Sequence, residues 1–228
     1  MIFPYFTGQN RTALIAGASG QVGCDLLELI LKHRLYRRIT VLVREPLKQK
    51  DTAINEVIVP NFDDLEKYAA SLKGDDIFLC LGTSSTNPES FSRVDYDYPL
   101  SIARIAHANG ASLVLFVSAL GADPKSMNRY FRTKGKIELA LEAIRYPSAH
   151  FFRPAILYGH KDRERPVQAA ARVVTQLVGW LFLAKLAKYR AISSHNVATA
   201  MLRVAVMRQL GVYRYESDHI ASIACAIE

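Results

Sequence analysis

The sequence predicts an α/β fold built on a doubly wound parallel sheet. Apolar runs of strand length alternate with segments of helical spacing from Thr12 to Phe152. Strands that are apolar throughout are those buried on both faces of a parallel sheet. The 228 residues are half hydrophobic and 22% charged. Such a chain can bury roughly 70–75% of its unfolded surface in one core. This balance excludes a disordered chain and a disulfide-stapled miniprotein.

The elements follow in order. Thr12–Ala16 (TALIA) is a short apolar strand that ends in glycine. Gln21–His33 carries Val22, Leu26, Leu27, Leu29 and Ile30 at helical spacing. Ile39–Val43 and Glu56–Val59 are the next strands, and Asp63–Leu72 is a helix with Asp63 as its predicted N-cap. Asp76–Leu81 is a fourth strand. Ser90–Asn109 is a long helix closed by Gly110. Leu113–Val117, a helix over Lys125–Arg145 and Ala149–Phe152 complete the alternation. Beyond them the pattern predicts a helix from about Pro166 to Lys188, a short strand near Ala191, a helix over Asn196–Arg208, a strand over Val212–Tyr215 and a short final helix. No repeat or linker divides the chain. It reads as a single domain, 1–228, with the residues from about 155 forming a small lobe.

Cys24, Cys80 and Cys225 lie far apart, with no Cys/His ligand spacing, so no metal site is predicted. An odd cysteine count and an N-terminal stretch without a secretory pattern point to reduced thiols and the cytoplasm. The longest apolar stretch, Leu177–Ala184, has eight residues. A membrane span needs roughly 20. The segment Val173–Leu186 is apolar nearly all round, which fits a buried helix of the small lobe better than a membrane-surface one. A remainder left exposed there would suit a homodimer. The net charge of +8 raises polyanionic partners. No nucleic-acid-binding pattern is present, and the basic residues are scattered rather than striped.

Gly17-Ala18-Ser19-Gly20-Gln21-Val22-Gly23 follows the first strand and opens the first helix. In that context G-x-x-G-x-x-G predicts dinucleotide binding. Glycines let the pyrophosphate approach the backbone, and the helix N-terminus offers free N–H groups. Gly23 permits close packing of the helix on the sheet. The second strand ends at Arg44, where a ribose-binding acid would mark NAD(H). A guanidinium there suits a 2′-phosphate and favours NADP(H), although Glu45 follows directly and a solvated strand end is the simpler alternative. Arg37, Arg38, Arg44 and Lys134 are expected near the phosphorylated dinucleotide.

Ser118 closes the fifth strand, and Tyr130 and Lys134 follow in Y-F-R-T-K. The i, i+4 spacing puts both on one helix face. A phenol, with an ordinary pKa of about 10, is a poor acid at neutral pH, and a nearby ammonium lowers that value. A serine hydroxyl can hold a substrate carbonyl. Together they fit proton transfer coupled to hydride transfer. Taken alone, a tyrosine over a lysine stem is usually structural. His150 reads as a satisfied core histidine, and Ser194 or Asn196 as a helix cap.

The glycine loop, CLGT, RVDYDY, SALGAD, Y-x-x-x-K, FRPAILYG and RERP together resemble the short-chain dehydrogenase/reductase superfamily, in its atypical and extended branches. The combination is similar to the Tat-interacting-protein-like NAD(P)H-binding oxidoreductases. That resemblance implies a Rossmann fold holding NADP(H), with Ser118, Tyr130 and Lys134 in the catalytic positions. It implies that Leu81, Gly82 and Thr83 pass beside a cofactor ribose and that Asp63 lies near the adenine. It places Arg153, in FRPAILYG, among the cofactor and pocket residues. The extended branches often carry an asparagine in the helix after the fourth strand, where this chain reads Val94-Asp95. Two functions follow: an NADPH-dependent reductase of a small carbonyl-type substrate, or an NADPH-binding regulatory or redox-sensing protein without significant turnover.

Overall fold

A computed structural model describes residues 10–83, 87–159 and 190–226. The strands are β1 (Thr12–Ala16), β2 (Arg38–Val43), β3 (Ile54–Ile58), β4 (Asp76–Leu79), β5 (Leu113–Val117), β6 (Ser148–Arg153), β7 (Leu157–Tyr158), β8 (Ile192–Ser193) and β9 (Gly211–Glu216). The helices are α1 (Gln21–His33), α2 (Pro88–Ser92), α3 (Tyr98–Ala108), α4 (Arg129–Glu142), α5 (Ser194–Met207) and α6 (Ser217–Cys225). Seven strands form one sheet in the order β3-β2-β1-β4-β5-β6-β9, and every pairing is parallel. The chain runs outward from β1 to β3, then returns and runs the other way from β4. The order therefore reverses between β1 and β4, and a crevice opens at their carboxyl ends. β7 and β8 pair separately as a short parallel ribbon.

Strand residues alternate between the two faces of the sheet. In β1, Ala13 and Ile15 join a buried cluster with Leu26 and Ile30 of α1 and Val197 and Met201 of α5. Leu14 and Ala16 join a second cluster with Ile102 and Ala103 of α3 and Ile137 and Leu141 of α4. That is why these strands carry no polar alternation. Among the described residues, no helix is long and apolar enough to cross a membrane.

Several boundaries differ from the sequence reading for local reasons. Asn61, not Asp63, caps the segment after β3, accepting from the Asp63 amide at 3.0 Å. That segment, Phe62–Ser71, is a kinked 3₁₀ helix rather than a regular α-helix. Asn128 accepts from the Tyr130 amide at 2.9 Å, so α4 begins at Arg129 instead of Lys125. The long helix expected over Ser90–Asn109 is α2 and α3 joined by a π turn, Arg93–Asp97. Gly110 ends α3 with φ +96°, as expected for a C-cap. The expected helix from Pro166 to Lys188, including Val173–Leu186, lies outside the described residues, as does the RERP run.

His150 is fully buried in β6. It stacks on Tyr213 and Tyr215 of the neighbouring edge strand, with ring centroids 5.2 and 5.8 Å away. Ser148 Oγ donates to the Gln209 carbonyl at 2.7 Å. His150 Nε2–H therefore donates to Ser148, at 2.8 Å, and Nδ1 accepts from Tyr215 at 2.9 Å. This is the neutral tautomer of a core histidine, and burial pushes its pKa down to about 4. Between pH 6.5 and 4 the unfolded chain binds the extra proton and the folded one does not. Stability is thus expected to fall as pH drops through that window, by about 3 kcal/mol once pH is below both values. Urea midpoints of the wild type and His150→Gln across this range check it. The variant should lose most of the slope.

Candidate active site

The glycine loop leaves β1 at the sheet's switch point and opens α1. Gly17 has φ +92°, and a Cβ there would lie 2.6 Å from the Cys80 carbonyl oxygen. A Cβ on Gly23 would collide with the Gly17 carbonyl oxygen. Side chains are thereby excluded on both sides of the turn. Gly20 is the N-cap of α1, gives no side-chain cap, and no acid lies in the first turn. The positive end of the helix faces the crevice uncompensated, as an anionic ligand requires. Ala18 and Val22 turn into the core, while Ser19 and Gly20 are exposed. Gly159, just beyond β7, closes on Gln21, whose side chain would lie 3.2 Å from a Cβ there. The Ser194 hydroxyl donates to the buried Asp25 carboxylate at 2.5 Å, tying α5 to α1 below the loop.

Arg44 follows β2 at the same edge of the sheet. It is exposed and makes no ion pair or hydrogen bond among the described residues. Arg37 and Arg38 do not join it. Arg38 pairs with Thr12 at the amino end of β1, so the length of β2 separates these two guanidiniums from the crevice. Their adjacency in sequence to the strand that ends at Arg44 was misleading. Asp63 does lie beyond β3, but its carboxylate accepts from Arg93 at 3.1 Å and from the Tyr98 hydroxyl at 3.0 Å.

Leu81, Gly82 and Thr83 continue from β4 across the crevice. Burial pushes the preceding Cys80 thiol up to about 12, so it is no nucleophile at neutral pH. The Thr83 amide donates to Asp95 Oδ2 at 3.2 Å. Asp95 Oδ1 in turn holds the Lys134 ammonium at 2.8 Å. Lys134 also reaches the Val117 carbonyl at 3.4 Å and sits 5.0 Å from the Phe116 ring centre. Both charged side chains are almost fully buried, at 1% and 4% exposure. Asp95 occupies the π turn, a feature often found at functional sites.

Tyr130 stands one turn earlier on α4 and is 39% exposed. Its ring rests on Phe91 and Phe131, with centroids 5.9 and 5.4 Å away. Its hydroxyl has no hydrogen bond among the described residues. The helix therefore carries an exposed phenol and, one turn further on, a buried ammonium.

Ser118 takes a different place. Its hydroxyl donates to Glu138 at 2.5 Å. Glu138 is the hub of a buried polar cluster. Arg153 grips it with a fork, Nε at 2.9 Å and a terminal nitrogen at 2.5 Å. Arg214 of β9 adds a contact at 3.1 Å and reaches Glu142 at 2.6 Å. A hydroxyl has one proton to give. In this arrangement the Ser118 hydroxyl directs that proton at Glu138. Arg153 is likewise engaged by Glu138. Glu138 and the Asp95–Lys134 pair are the members sequence reading missed. Glu138 had one visible signal, its position four residues after Lys134 on the same helix face.

A parallel sheet with a glycine loop at its switch point and an uncompensated helix end defines an α/β dinucleotide-binding protein. The chain belongs to the NAD(P)H-binding family whose model matches residues 17–205. Rat Protein HTATIP2 is 36% identical over 172 residues, which cover 73% of this chain and 71% of that protein. Protein fmp52, mitochondrial, from Emericella nidulans is 29% identical over 178 residues, 74% of this chain and 76% of its own. Among solved structures, a short chain dehydrogenase from Burkholderia cenocepacia in complex with NADP superposes with a TM-score of 0.67 at 17% identity. It covers 95% of this chain and 94% of that one. MoeE5 in complex with UDP-glucose and NAD superposes with a TM-score of 0.67 at 16% identity, over 93% and 80% of the two chains. The fold is thus that of the short-chain dehydrogenases, and the chain is an HTATIP2-like NAD(P)H-binding protein.

The Glu138 cluster yields an expectation. Ser118→Ala removes a hydrogen bond to a buried carboxylate and should cost about 1–3 kcal/mol of stability, read as a lower urea midpoint. Glu138→Ala leaves two arginines without their shared partner and should cost more.

Proposed function

We propose that the protein is an NADPH-dependent reductase acting on a small carbonyl-type substrate. The observation that carries this reading is the Tyr130–Lys134 pair: an exposed phenol one helical turn from a buried ammonium that reaches the carboxyl end of β5. The residues present fit the cofactor. Gly17 and Gly23 leave no side chain between the loop and an approaching pyrophosphate, and the first turn of α1 holds no competing acid. Arg44, unpaired among the described residues, follows β2 where a 2′-phosphate would lie, which favours NADPH over NADH. The bound cofactor supplies a hydride. The protein's own work is orientation and proton transfer. Lys134 holds a ribose and the Tyr130 phenol in register, and Tyr130 gives its proton to the substrate oxygen as that oxygen gains charge. Ser118 supports the cleft floor through Glu138. Residues from about 155 contribute the substrate side as a small lobe. We place the protein in the cytoplasm, where Cys24, Cys80 and Cys225, all free thiols, stay reduced.

A second reading has its own support. The Lys134 ammonium is paired with Asp95, and the Ser118 proton is on Glu138, so the groups expected to act on a substrate are held by the protein itself. An NADPH-binding regulatory or redox-sensing protein needs no more than the cofactor half of the site.

Two variants test the assignment. Tyr130→Phe should lower NADPH oxidation by at least about 10²-fold with a screened carbonyl substrate while leaving NADPH affinity intact. Full turnover in that variant would overturn the catalytic role. NADPH binding by the wild type with no oxidation across a broad carbonyl panel would favour the regulatory reading. Arg44→Ala should raise the NADPH Kd about tenfold or more and leave the NADH Kd unchanged. Equal losses for both cofactors would remove the basis for the NADPH preference.

A further inference from the structure

A second opening lies away from the crevice, on the face of the sheet that carries α1 and α5. A cavity of about 200 Å³ sits between the last turns of α1, the first turns of α5 and the end of α6. Its apolar side is Leu29, Leu202 and Ala224, and four basic side chains, Lys32, His33, His195 and Arg203, share its wall. Among the described residues, no carboxylate lines it. The 13 residues of α1 begin at the glycine loop. At 1.5 Å per residue the cavity is roughly 14–20 Å from the crevice along that helix.

Arg203 is the informative member. Its Nη1 donates to the Ile223 and Ala226 carbonyls at 2.8 and 2.5 Å and closes the C-terminal end of α6. The other edge of the guanidinium, Nε with Nη2, has no partner among the described residues, and Nε is buried. That edge grips carboxylates elsewhere in this protein. Arg153 holds Glu138 through Nε and Nη2, and Arg11 holds Asp76 in the same way. A buried donor without an acceptor is costly, and few are left so in a folded chain. The guanidinium is planar, so fixing Nη1 also fixes the direction of the open edge. The local charge agrees. Burial first, and then the neighbouring Lys32 ammonium, lower the pKa of His33, as expected where a cation has no counter-ion beside it.

We propose that this cavity binds a small organic monocarboxylate with a compact apolar body, of the size of benzoate. The carboxylate accepts from Arg203 Nε and Nη2, Lys32 adds a second positive charge, and the body lies against Leu29, Leu202 and Ala224. An apolar cavity of about 150 Å³ holds a benzene molecule, so the volume here has room for such a ring and part of its carboxylate. Two parallel donors beside an apolar wall suit a planar anion with two oxygens. A phosphate would bring further oxygens to a wall that offers them no donors. The site is separate from the dinucleotide crevice, and the assignment stands whether or not the protein is a reductase.

The test titrates benzoate, its neutral isostere benzamide and inorganic phosphate into the full chain. Histidine ring resonances are followed by NMR, with His33→Gln and His195→Gln assigning the two signals of the cavity. Benzoate should shift both and leave the signal of the buried His150 in place. It should bind at least about tenfold more tightly than benzamide or phosphate. The shifts should persist in saturating NADPH. Arg203→Lys keeps the charge but removes the fork, and should weaken benzoate about tenfold or more. Because Arg203 also closes α6, its replacement can destabilise the fold, and two further variants keep the proposal open to failure. Lys32→Glu, at an exposed position, and Ala224→Leu, which fills the apolar side, should each weaken benzoate about fivefold or more and leave the NADPH Kd unchanged. Absence of histidine shifts at about 10 mM benzoate, a level that saturates a millimolar site, would overturn the proposal. So would equal affinity for benzoate and benzamide, phosphate binding as tightly as benzoate, displacement of benzoate by NADPH, or full benzoate affinity in Lys32→Glu and Ala224→Leu.

Discussion

Everything at the carboxyl edge of the sheet depends on how closely two backbones approach there. β1 and β4 are neighbours in the sheet yet send their chains in opposite directions, so the loops after them share one small volume. Gly17 lies against the Cys80 carbonyl and Gly23 against Gly17 itself, at separations no side chain tolerates. Overpacking such a contact typically costs about 1–3 kcal/mol, because backbone rather than a side chain must yield. The same tightness has a functional consequence. It brings the N-terminus of α1 up to the crevice and leaves its amide groups without a side-chain cap. A packing constraint on the fold and the opening for an anion are therefore one feature.

The residues around that edge are organised by two buried carboxylates in different roles. Glu138 gathers two guanidiniums and a hydroxyl from β5, β6 and β9. It locks α4 to the sheet, and with it the direction in which Tyr130 and Lys134 project. Asp95 holds the ammonium itself. Buried pairs of this kind add little net stability, since desolvation offsets most of the attraction. Breaking one is nevertheless costly, which makes the geometry around α4 hard to change. The phenol is the exception. It sits in the first turn of α4 against the Phe91 and Phe131 rings, with no hydrogen bond on its hydroxyl among the described residues.

Periodicity made most of this architecture legible. β1, α1 and β5 have the bounds that apolar spacing predicts, because the strands are buried almost throughout and α1 along the face that meets the sheet, so the core sets each pattern. Legibility failed where a local polar group outvoted the pattern. Asn61 and Asn128 set the starts of their helices through single side-chain hydrogen bonds. The π turn adds a residue that no 3.6-residue template contains. The site followed the same division. The glycine loop and the Tyr130–Lys134 spacing are short-range signals carried within one stretch of chain. Ser118 and Glu138 lie 20 residues apart, and Asp95 and Lys134 meet only through tertiary packing. The direction of the Ser118 hydroxyl was not legible for that reason: it depends on a partner one helix away.

The charge of the chain shows the same lesson from another side. A net +8 suggests a broad affinity for polyanions. In the folded protein many of the cations already have partners. Arg11 is paired with Asp76, Arg34 with Asp51, Arg93 with Asp63 and Glu89, and Arg153 and Arg214 with Glu138. Lys134 is neutralised by Asp95. Position and pairing, not the total, determine what a cation can bind, because a charge that already has a buried partner presents little field to a newcomer. Arg44 differs from these in having no partner among the described residues at the edge where the crevice opens. A phosphorylated dinucleotide is a small polyanion whose charges are spaced along its length. A helix end without a competing acid in its first turn meets such a charge more selectively than a uniformly basic surface would.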